Sequence, residues 1–418
     1  MGGDVIAMFA TRQRYYKRPM TKRIESFADL IAPMDEDTFF AEFHDKKPLL
    51  IQAAAPDKLD DVMTWDTLTA ILNMTAIWSP HSLKLVMDTK NVPTDQYCRP
   101  AIDRNGQQSM QPDADKVKSW LRRGASIVAN DIDTLTPGLI SAANAVETRL
   151  GGKVQSNLYC SWNDHQAFPT HFDTHEVFAL HVAGEKVWRI YEGRLENPIA
   201  NETFKSLDDD FHAAHRGEVA EEVTLRPGDV LYIPRGQYHD ALASSDGCIH
   251  LSFGITHIIG FDVMSLLFER AMAEPLFRRN IPTVENDARA WIDAMLSRIG
   301  EIGRSDEVWN AIGTFRESFE YQRGGFKLPD NAYEDDPDDR YKITASSLTV
   351  TREAGRALLQ SAKGKVPIPE NIVDQVQWVV EKQVFSGREL ATSFPAMSPE
   401  ARSKLIQDLV GMRVLAPH

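Results

Sequence analysis

The sequence predicts an α+β fold whose core is made of antiparallel strands with flanking helices. Three observations predict it. Between residues 154 and 255, short apolar or alternating segments are separated by turns rich in glycine and proline, which is typical of strands. Before residue 151 and after residue 260, apolar residues recur at helical spacing. Within the strand-rich part, two histidines and an aspartate have the pattern of metal ligands, which a rigid barrel would hold in place.

The N-terminal part is predicted to alternate helices with short strands. Ser26 or Asp29 is a candidate cap for a first short helix, and Thr64 for a later one. Gly151-Gly152 ends the last helix before the barrel. The predicted helices span residues 35–43, 64–72, 113–122 and 136–150, and the predicted strands span residues 47–52, 83–87 and 125–129.

The strands predicted for the barrel are residues 154–162, 177–182, 186–191, 223–226, 230–233 and 247–255. The turn Ala183-Gly184-Glu185 predicts that the second and third of these form a hairpin. Residues from about 194 to 222 are polar. We expect the run Asp208-Asp209-Asp210 within them to lie in a solvated loop.

The candidate metal ligands are His171, Asp173 and His239. Successive side chains of an extended strand point to opposite faces, so His171 and Asp173 would face the same way, about 7 Å apart. A later antiparallel strand would bring back His239 as the third ligand. Two histidines and one carboxylate with open positions form the ligand set of non-haem Fe(II) oxygenases. The other histidines of this region are expected to be mostly surface or packed side chains: His175, His181, His212, His215, His250 and His257.

The segment that leads to His239 carries a second pattern. Gly228 is followed after five residues by Pro234, after one more by Gly236, and after two more by His239. This spacing resembles the second signature motif of the cupin superfamily, whose members are double-sheet jelly rolls. The resemblance implies that the core is a double-stranded β-helix, or jelly roll, and that His239 sits at the mouth of this rigid barrel.

Length and composition indicate a globular chain of two or three domains. Its 418 residues are 43% hydrophobic and 25% charged, as in ordinary globular proteins. The net charge of −14 lacks the electrostatic footprint of a general nucleic-acid binder, although a local basic patch stays open. Cys98, Cys160 and Cys248 form no Cys-x-x-Cys pair, which favours a reducing compartment. With no membrane-length apolar run and no visible secretory signal, we expect a cytoplasmic protein that does not enter a membrane.

Over residues 155–255 the chain resembles the JmjC-type ribosomal oxygenases. The resemblance is carried by Asn157-Leu158-Tyr159, His171-Phe172-Asp173, Glu176-Val177-Phe178, residues 184–191, residues 227–234 and His239. Members of this family are Fe(II)- and 2-oxoglutarate-dependent hydroxylases of ribosomal-protein side chains. The resemblance implies that His171, Asp173 and His239 bind iron. It also implies that 2-oxoglutarate and O2 are consumed while a protein or peptide side chain, such as one of a ribosomal protein, is hydroxylated.

The resemblance further implies a cosubstrate site. In this family the residue fifteen positions after the first iron ligand holds the far carboxylate of 2-oxoglutarate, and here that residue is Lys186. Independently, a dicarboxylate beside a metal needs a fixed cation, and Lys186 opens the strand that returns beside the metal site. The alternative is a solvated lysine at a turn. Tyr159 matches a tyrosine that assists at the same carboxylate, with core packing as its alternative, and Asn157 and Ser252 are further pocket candidates.

Residues 1–25 are predicted to form a polar tail. After it, the family order of parts implies three regions: a JmjC/cupin catalytic domain (26–260), a helical dimerisation region (261–330) and a C-terminal winged-helix-like domain (331–418). Helical periods at 264–272, 288–302 and 307–321 have no strands left to pack on, which predicts a helical bundle or a homodimer interface. A linker is expected at 328–340. In the last region, Glu370, Asp374 and Glu381 would repel phosphate, which favours a protein contact over direct nucleic-acid binding.

One loop departs from the family. Residues 162–168, which include His165, are bulkier and more polar than the family's Gly-rich loop, so the usual ribosomal target is left open. A JmjC lysine demethylase or a hydroxylase of a dedicated small peptide are alternatives, although Asp173 as the middle ligand favours hydroxylation. An alternative of another class is a non-catalytic metal-binding cupin that serves as an interaction module. The sequence leaves open the substrate, the native metal and the oligomeric state.

Overall fold

The computed structural model describes residues 23–102, 106, 108–162, 168–243, 247–323, 338–344, 348–353, 355–361, 364–412 and 414–418. The chain divides into two compact units, Met1–Gly324 and Gly325–His418. Most of the predicted tail, loop residues 163–167 with His165, and most of the predicted linker lie outside the described residues.

The first unit begins with helices and short strands. They are α1 (Phe27–Ile31), α2 (Glu36–Glu42), β1 (Leu49–Ile51), α3 (Trp65–Leu72), β2 (Leu83–Met87), β3 (Lys90–Asn91), α4 (Thr94–Tyr97), β4 (Cys98–Ile102), β5 (Gln108–Pro112), α5 (Ala114–Leu121), β6 (Ser126–Ala129) and α6 (Pro137–Leu150), with a 3-10 helix at Thr75–Ile77. Helix α6 illustrates how the flanking residues determine where a helix begins and ends. The Thr136 side chain accepts from the amide of Leu139, Pro137 opens the helix, and Gly151 ends it at a φ of 68°.

The barrel region follows. It contains β7 (Lys153–Ser161), β8 (Glu176–Ala183), β9 (Lys186–Arg194), α7 (Glu202–Lys205), α8 (Asp209–His215), β10 (Val219–Leu225), β11 (Val230–Ile233), β12 (Gln237–Ala243) and β13 (Cys248–Thr256). One sheet has the order β1-β11-β8-β13-β7-β6-β2-β3, and a second has the order β10-β9-β12. Their pairings are antiparallel. The predicted α+β class is confirmed, and side chains of both sheets pack together between them.

Strand β8 explains how the barrel is layered. Its odd-numbered residues Val177 and Ala179 pack between the two sheets, against Trp188 of β9. Its even-numbered residues Phe178 and Leu180 lie on the opposite face, in the core that the large sheet shares with the N-terminal helices. Because side chains alternate along a strand, one strand that is apolar at nearly every position is buried on both faces.

The predicted hairpin between β8 and β9 is wrong. Gly184 does make a turn, at a φ of 74°. However, β8 pairs with β11 and β13, whereas β9 pairs with β10 and β12. The short turn therefore carries the chain from one sheet of the barrel to the other. Two alternating segments joined by a glycine turn have the same sequence pattern in both cases, so the pattern cannot decide which strands pair.

The polar segment between residues 194 and 222 is more ordered than predicted, since it holds α7, α8 and most of β10. The Asp208-Asp209-Asp210 run is the beginning of a helix and not a loop. The Asp208 carboxylate caps α8 by accepting from the amide of Phe211 at 2.8 Å, and the next two aspartates lie in the first turn. Acidic side chains are favourable there because the free amides of a helix N-terminus carry partial positive charge.

Three longer helices complete the described part of the first unit: α9 (Gly260–Met272), α10 (Glu285–Gly303) and α11 (Asp306–Glu317), with a 3-10 helix at Pro275–Arg278. The segment after them returns to the barrel. The buried Arg323 guanidinium bonds to Asp133 at 2.6 Å, to Glu147 and to the backbone carbonyl of Val154. Among the residues that the structure describes, no helix has both the length and the apolar character needed to cross a lipid bilayer.

The second unit is built around its own apolar core. Its elements are β14 (Arg340–Ile343), β15 (Thr349–Glu353), β16 (Arg356–Ser361), β17 (Gly364–Pro367), α12 (Val373–Lys382), β18 (Val384–Ser386), α13 (Gly387–Ser393), α14 (Pro399–Gly411) and β19 (Leu415–Pro417), with a 3-10 helix at Glu370–Ile372. The strands form two antiparallel sheets, β18-β14-β19 and β15-β16-β17. Trp378 of α12 packs edge-on against the buried ring of Phe385. Helix α13 is capped by Ser386 and Glu389, which bond to each other's backbone amides.

Candidate metal centre and cosubstrate cavity

His171, Asp173 and His239 converge at one end of the barrel. One donor atom from each lies within 4.8 Å of the others, and Nε2 of His239 is 3.6 Å from the Asp173 carboxylate. His239 is on β12. His171 and Asp173 precede β8 and belong to no regular strand, since His171 makes a single bridge to His239. The expectation that they share a strand is therefore corrected, although their side chains still meet.

Backbone hydrogen bonds hold the three residues together. The amide of His171 donates to the carbonyl of His239 at 3.1 Å, and the amide of His239 donates back at 2.8 Å. The amide of Gly236 donates to the carbonyl of Asp173 at 2.9 Å. At Gly236 the φ is 83° and an added Cβ would lie 2.0 Å from the carbonyl oxygen of Leu195, so only glycine fits this bend. The tight turn predicted before His239 is thus present, and its backbone geometry requires glycine at position 236.

The protonation of both histidines follows from their partners. Nδ1 of His171 is 2.8 Å from the carbonyl oxygen of Pro169, and Nδ1 of His239 is 2.9 Å from that of Gln237. A carbonyl oxygen only accepts, so each Nδ1 carries the proton. Nε2 of a neutral ring is then a free lone pair. This is the arrangement in which a backbone carbonyl orients a metal-binding imidazole.

The local electrostatics keep Asp173 and His239 in the forms that bind a cation. Burial lowers the pKa of His239 to about 4, with the neighbouring His171 acting in the same direction. For Asp173, burial alone would raise the pKa, but His175, His171 and His239 together hold it below its usual value. At neutral pH the site therefore presents a carboxylate and a neutral imidazole, the states in which these side chains ligate metals.

A cavity of about 290 Å³ lies beside the three groups. Every residue that the sequence singled out lines it: Asn157, Tyr159, His171, Asp173, Lys186, His239 and Ser252. Alternation explains the set, because Leu158 and Cys160 of β7 and Leu251 and Phe253 of β13 belong to the core on the other face. Residues one position away in each strand must then point into the barrel.

Lys186 is the buried lysine of this cavity. The residue is only 4% exposed, and its Nζ lies 3.4 Å from Nδ1 of His250. Burial lowers the pKa of Lys186. Among the described residues, no carboxylate comes within ion-pairing distance of it. The alternative of a solvated turn lysine is therefore wrong, because the side chain lies inside the barrel.

Tyr159, Asn157 and Ser252 differ in how strongly they are held. The ring of Tyr159 stacks on His250 with 4.8 Å between centroids and 9° between planes. Burial raises the pKa of its hydroxyl, which stays a neutral donor. The side-chain oxygen of Asn157 accepts from the amide of Asp131 at 3.2 Å. Ser252 is half-buried on β13 and contributes to the lining.

Sequence reasoning missed His250, which was expected to be one of the surface or packed histidines. It is buried, lines the cavity, and touches both Lys186 and Tyr159. Burial, reinforced by the charge of Lys186, keeps the pKa of His250 well below its usual value. The signal was present in the sequence, because His250 and Ser252 are two residues apart on one strand and so face the same way.

His175 and Trp188 were also not singled out, and both line the cavity. The ring of Trp188 stacks near that of His239 at 5.8 Å and meets His250 edge-on at 5.4 Å. His175 occupies the space over Gly254, where an added Cβ would come within 2.8 Å of its ring. Gly254 is thus needed for His175 to lie at the cavity.

Comparison with known proteins shows what this region is similar to. Residues 141–260 match the family model of the JmjC domain. Ribosomal oxygenase 2 of Bos taurus is 28% identical over 272 residues, which cover 61% of this chain and 54% of that protein. The bifunctional lysine-specific demethylase and histidyl-hydroxylase NO66 of Aedes aegypti is 27% identical over 270 residues, which cover 62% of this chain and 40% of that protein. The chain spans about half, or less, of the length of these curated relatives.

Solved structures of YcfD from Escherichia coli, described as a ribosomal oxygenase, are also similar. One X-ray structure is 14% identical with a TM-score of 0.49, and covers 92% of this chain and 98% of its own. Another, in complex with cobalt and 2-oxoglutarate, is 14% identical with a TM-score of 0.48, and covers 92% of this chain and 99% of its own.

Proposed function

We propose that this chain, which carries a JmjC domain, is an Fe(II)- and 2-oxoglutarate-dependent oxygenase that hydroxylates a side chain of a protein or peptide. One observation carries the proposal. A group of two histidines and one carboxylate shares a cavity of about 290 Å³ with a buried lysine that has no carboxylate partner among the described residues. This pairing of an open three-ligand metal site with an anion-binding cation suits a metal cofactor and a dicarboxylic cosubstrate.

The residues fit Fe(II). His171, Asp173 and His239 would hold it through two Nε2 atoms and a carboxylate oxygen, leaving positions open for exchangeable ligands. When bound, the iron would activate dioxygen for the oxidative decarboxylation of 2-oxoglutarate to succinate. The chain itself fixes the donor atoms. Hydrogen bonds from both Nδ1 atoms to backbone carbonyls orient the rings, so little rearrangement is needed when the metal enters.

Lys186 is proposed to hold the far carboxylate of 2-oxoglutarate. On β9 it pairs with Ala243, which is four residues along β12 from His239. That separation is roughly 13 Å at the usual rise of a strand. This span suits a lysine side chain that extends from β9 and meets a five-carbon dicarboxylate that extends from the metal site. Tyr159, Asn157 and Ser252 are proposed to line the same pocket, with the Tyr159 hydroxyl donating a hydrogen bond to the carboxylate.

The substrate class is proposed from chemistry and from the relatives. A metal centre at the open end of the barrel can take a side chain that projects from a larger molecule. The relatives include proteins named ribosomal oxygenase, which supports a ribosomal protein as the substrate. A cytoplasmic location belongs to the same proposal and is supported by three buried, free cysteines.

A domain organisation is part of the proposal. Residues 26–260 would form the catalytic domain, 261–330 a homodimerisation region and 331–418 a winged-helix-like domain. Exposed apolar side chains on the middle helices support the dimer, for example Phe268 at 69% and Trp309 at 66% exposure. Light scattering of the full chain tests it: the wild type should have twice the mass of the chain, and Phe268→Asp should lower it.

Turnover tests the function. Purified protein given Fe(II), 2-oxoglutarate and O2 should release succinate, with a further increase when ribosomal-protein peptides are added. Asp173→Ala and His239→Ala should abolish succinate release, whereas His81→Ala, which changes an exposed histidine elsewhere, should not. Mass spectrometry of the peptides should show a gain of one oxygen atom. If no succinate forms under any condition, the non-catalytic interaction module becomes the better account.

The name of the NO66 relatives includes demethylation as well as hydroxylation. A methyl-lysine peptide therefore belongs in the same assay as a second candidate substrate. Formaldehyde release from it, without oxygen gain on unmethylated peptides, would favour a demethylase.

A further inference from the structure

A second group of two histidines and one carboxylate lies outside the cavity. His44 follows α2, Glu176 is the first residue of β8, and His257 comes directly after β13. Glu176 shares its face of β8 with Phe178, in the core under the N-terminal helices, whereas Val177 faces the cavity. The sheet therefore separates this group from the proposed iron site, although the chain brings them within three residues of each other.

The donor atoms of the three side chains converge. Nε2 of His257 is 3.1 Å from one oxygen of Glu176, and Nε2 of His44 is 3.5 Å from the other. All three donors lie within 4.8 Å of one another. Both Nε2 atoms are buried and neither makes a hydrogen bond of acceptable geometry. Both buried nitrogens thus face one carboxylate within ion-pairing distance, an arrangement in which a divalent cation can take the place of the protons between them.

Hydrogen bonds hold the Glu176 carboxylate in place. The Tyr232 hydroxyl donates to Oε2 of Glu176 at 2.7 Å and itself accepts from the amide of Asp45 at 2.8 Å. Only 5% of the Glu176 side chain is exposed, and each histidine side chain is 28% exposed. The carboxylate end of the group is thus held rigidly, whereas the two imidazole rings are partly exposed even though their Nε2 atoms are buried.

We propose that His44, Glu176 and His257 form a second divalent-metal site that takes Zn²⁺. Two imidazole nitrogens and one carboxylate oxygen are an established zinc ligand set. Zinc bonds of about 2.0–2.1 Å in a tetrahedron place neighbouring donors about 3.3 Å apart, close to the separations seen here. A water would complete the coordination on the exposed side.

The proposed role is structural. The three ligands come from chain segments that are far apart in sequence, at the end of the N-terminal helical pair, at the start of β8 and just beyond β13. A metal that joins them would close two long loops and anchor the segment that leads into α9. The site is independent of the proposed oxygenase chemistry, since none of its ligands lines the cavity.

Zinc stoichiometry of the full chain tests this proposal. Protein stripped with a chelator is equilibrated with Zn²⁺, dialysed against a weak competing chelator and analysed for bound metal. The informative background is His171→Ala/His239→Ala, which removes the other site. We expect it to retain one equivalent of zinc, and we expect no zinc once His44→Ala/His257→Ala is added. His81→Ala on the same background should keep the full equivalent.

Controls separate metal loss from misfolding. His257→Gln keeps most of the side-chain volume and should still lower zinc retention at least tenfold, with an unchanged circular dichroism spectrum. Replacing Zn²⁺ with Co²⁺ in the His171→Ala/His239→Ala protein should give visible absorption of tetrahedral intensity, which needs no change at the new site. If this background protein retains no zinc, the three side chains form a protonated ion-pair network and the proposal is wrong. That result would leave the succinate assay, and the proposed oxygenase function, untouched.

Discussion

The Tyr191 hydroxyl donates a 2.6 Å hydrogen bond to Asp240, the residue that follows His239. Thr170, the residue before His171, donates to the same carboxylate oxygen at 2.8 Å. One buried carboxylate thus joins the two chain segments that carry the histidines of the proposed iron site. The separation of those histidines depends on this carboxylate as well as on the backbone pairing.

Removing that hydroxyl should weaken the fold. Tyr191→Phe leaves Asp240 buried with one donor fewer, which we expect to lower the free energy of unfolding by about 1–3 kcal/mol. Urea denaturation followed by circular dichroism measures the change. Tyr321→Phe is the matched control, because that ring is 46% exposed. Equal unfolding midpoints for Tyr191→Phe and the wild type would show that Asp240 does not need this donor.

Lys186→Met should improve stability and impair binding. An ammonium buried without a counter-charge is costly, so the variant without cosubstrate should unfold at a higher temperature than the wild type. Binding of 2-oxoglutarate should weaken by about 2 kcal/mol or more, roughly thirtyfold, since its far carboxylate loses its partner. Calorimetry and thermal melting give the two numbers. Lys90→Met, at an exposed position, should change neither; unaltered affinity in Lys186→Met would remove the lysine from the cosubstrate site.

Replacing Arg323 should lower the free energy of unfolding far more than replacing an arginine in an exposed ion pair. Its guanidinium is fully buried and satisfies Asp133 and Glu147 together. Arg323→Ala leaves both acids buried without their partner, a change that costs about 3–5 kcal/mol in comparable sites. Arg289→Ala breaks a pair with Glu285 whose side chains are both mostly exposed, and should leave stability nearly unchanged. Similar midpoints for the two variants in urea would contradict this contrast.

The stability of the first unit should decrease in mild acid partly because of His181. Burial lowers the pKa of His181 to about 4, and its Nε2 donates to the carbonyl of Gly184 at 2.9 Å. Between pH 6.5 and 4, His181 of the unfolded chain, with an ordinary pKa near 6.5, binds a proton, whereas His181 of the folded chain stays neutral. This contribution to stability is therefore complete above pH 6.5 and is lost as the pH falls towards 4.

The variant His181→Asn isolates this contribution. Between pH 6.5 and 4, its free energy of unfolding should fall less steeply than that of the wild type, by up to about 1.4 kcal/mol per pH unit. Urea titrations at a series of pH values measure the slopes. His81→Asn removes an exposed histidine and should keep the wild-type slope. Parallel curves for His181→Asn and the wild type would mean that His181 does not titrate differently on folding.

Much of the cavity could be predicted, because the family resemblance implied that Asn157, Tyr159 and Ser252 share a pocket, and they line one cavity. Alternation along a strand explains part of this set, since Asn157 and Tyr159 lie two residues apart on β7. The same rule would have placed His250 there, two residues from Ser252. Helix ends were also predictable, since the cap at Ser26 and the end at Gly151 depend on neighbouring residues alone.

What could not be predicted depends on contacts between distant residues. The turn at Gly184 fits a hairpin and a crossing between sheets equally well, and only the packing of the whole barrel decides between them. His44, Glu176 and His257 have no spacing that a motif search would recognise, because three separate elements bring them together. The ion pairs of Arg323 with Asp133 and Glu147 could not be predicted from the sequence for the same reason.

Binding of 2-oxoglutarate to the metal-loaded protein tests the central claim most directly. Titration calorimetry with Mn²⁺ in place of the oxidisable Fe²⁺ should give one cosubstrate per chain. We expect that binding to be lost without the metal and in His171→Ala/His239→Ala, and to be weakened in Lys186→Met. Binding of equal strength with and without the metal, or no binding to the loaded wild type, would contradict a shared metal and cosubstrate site in this cavity.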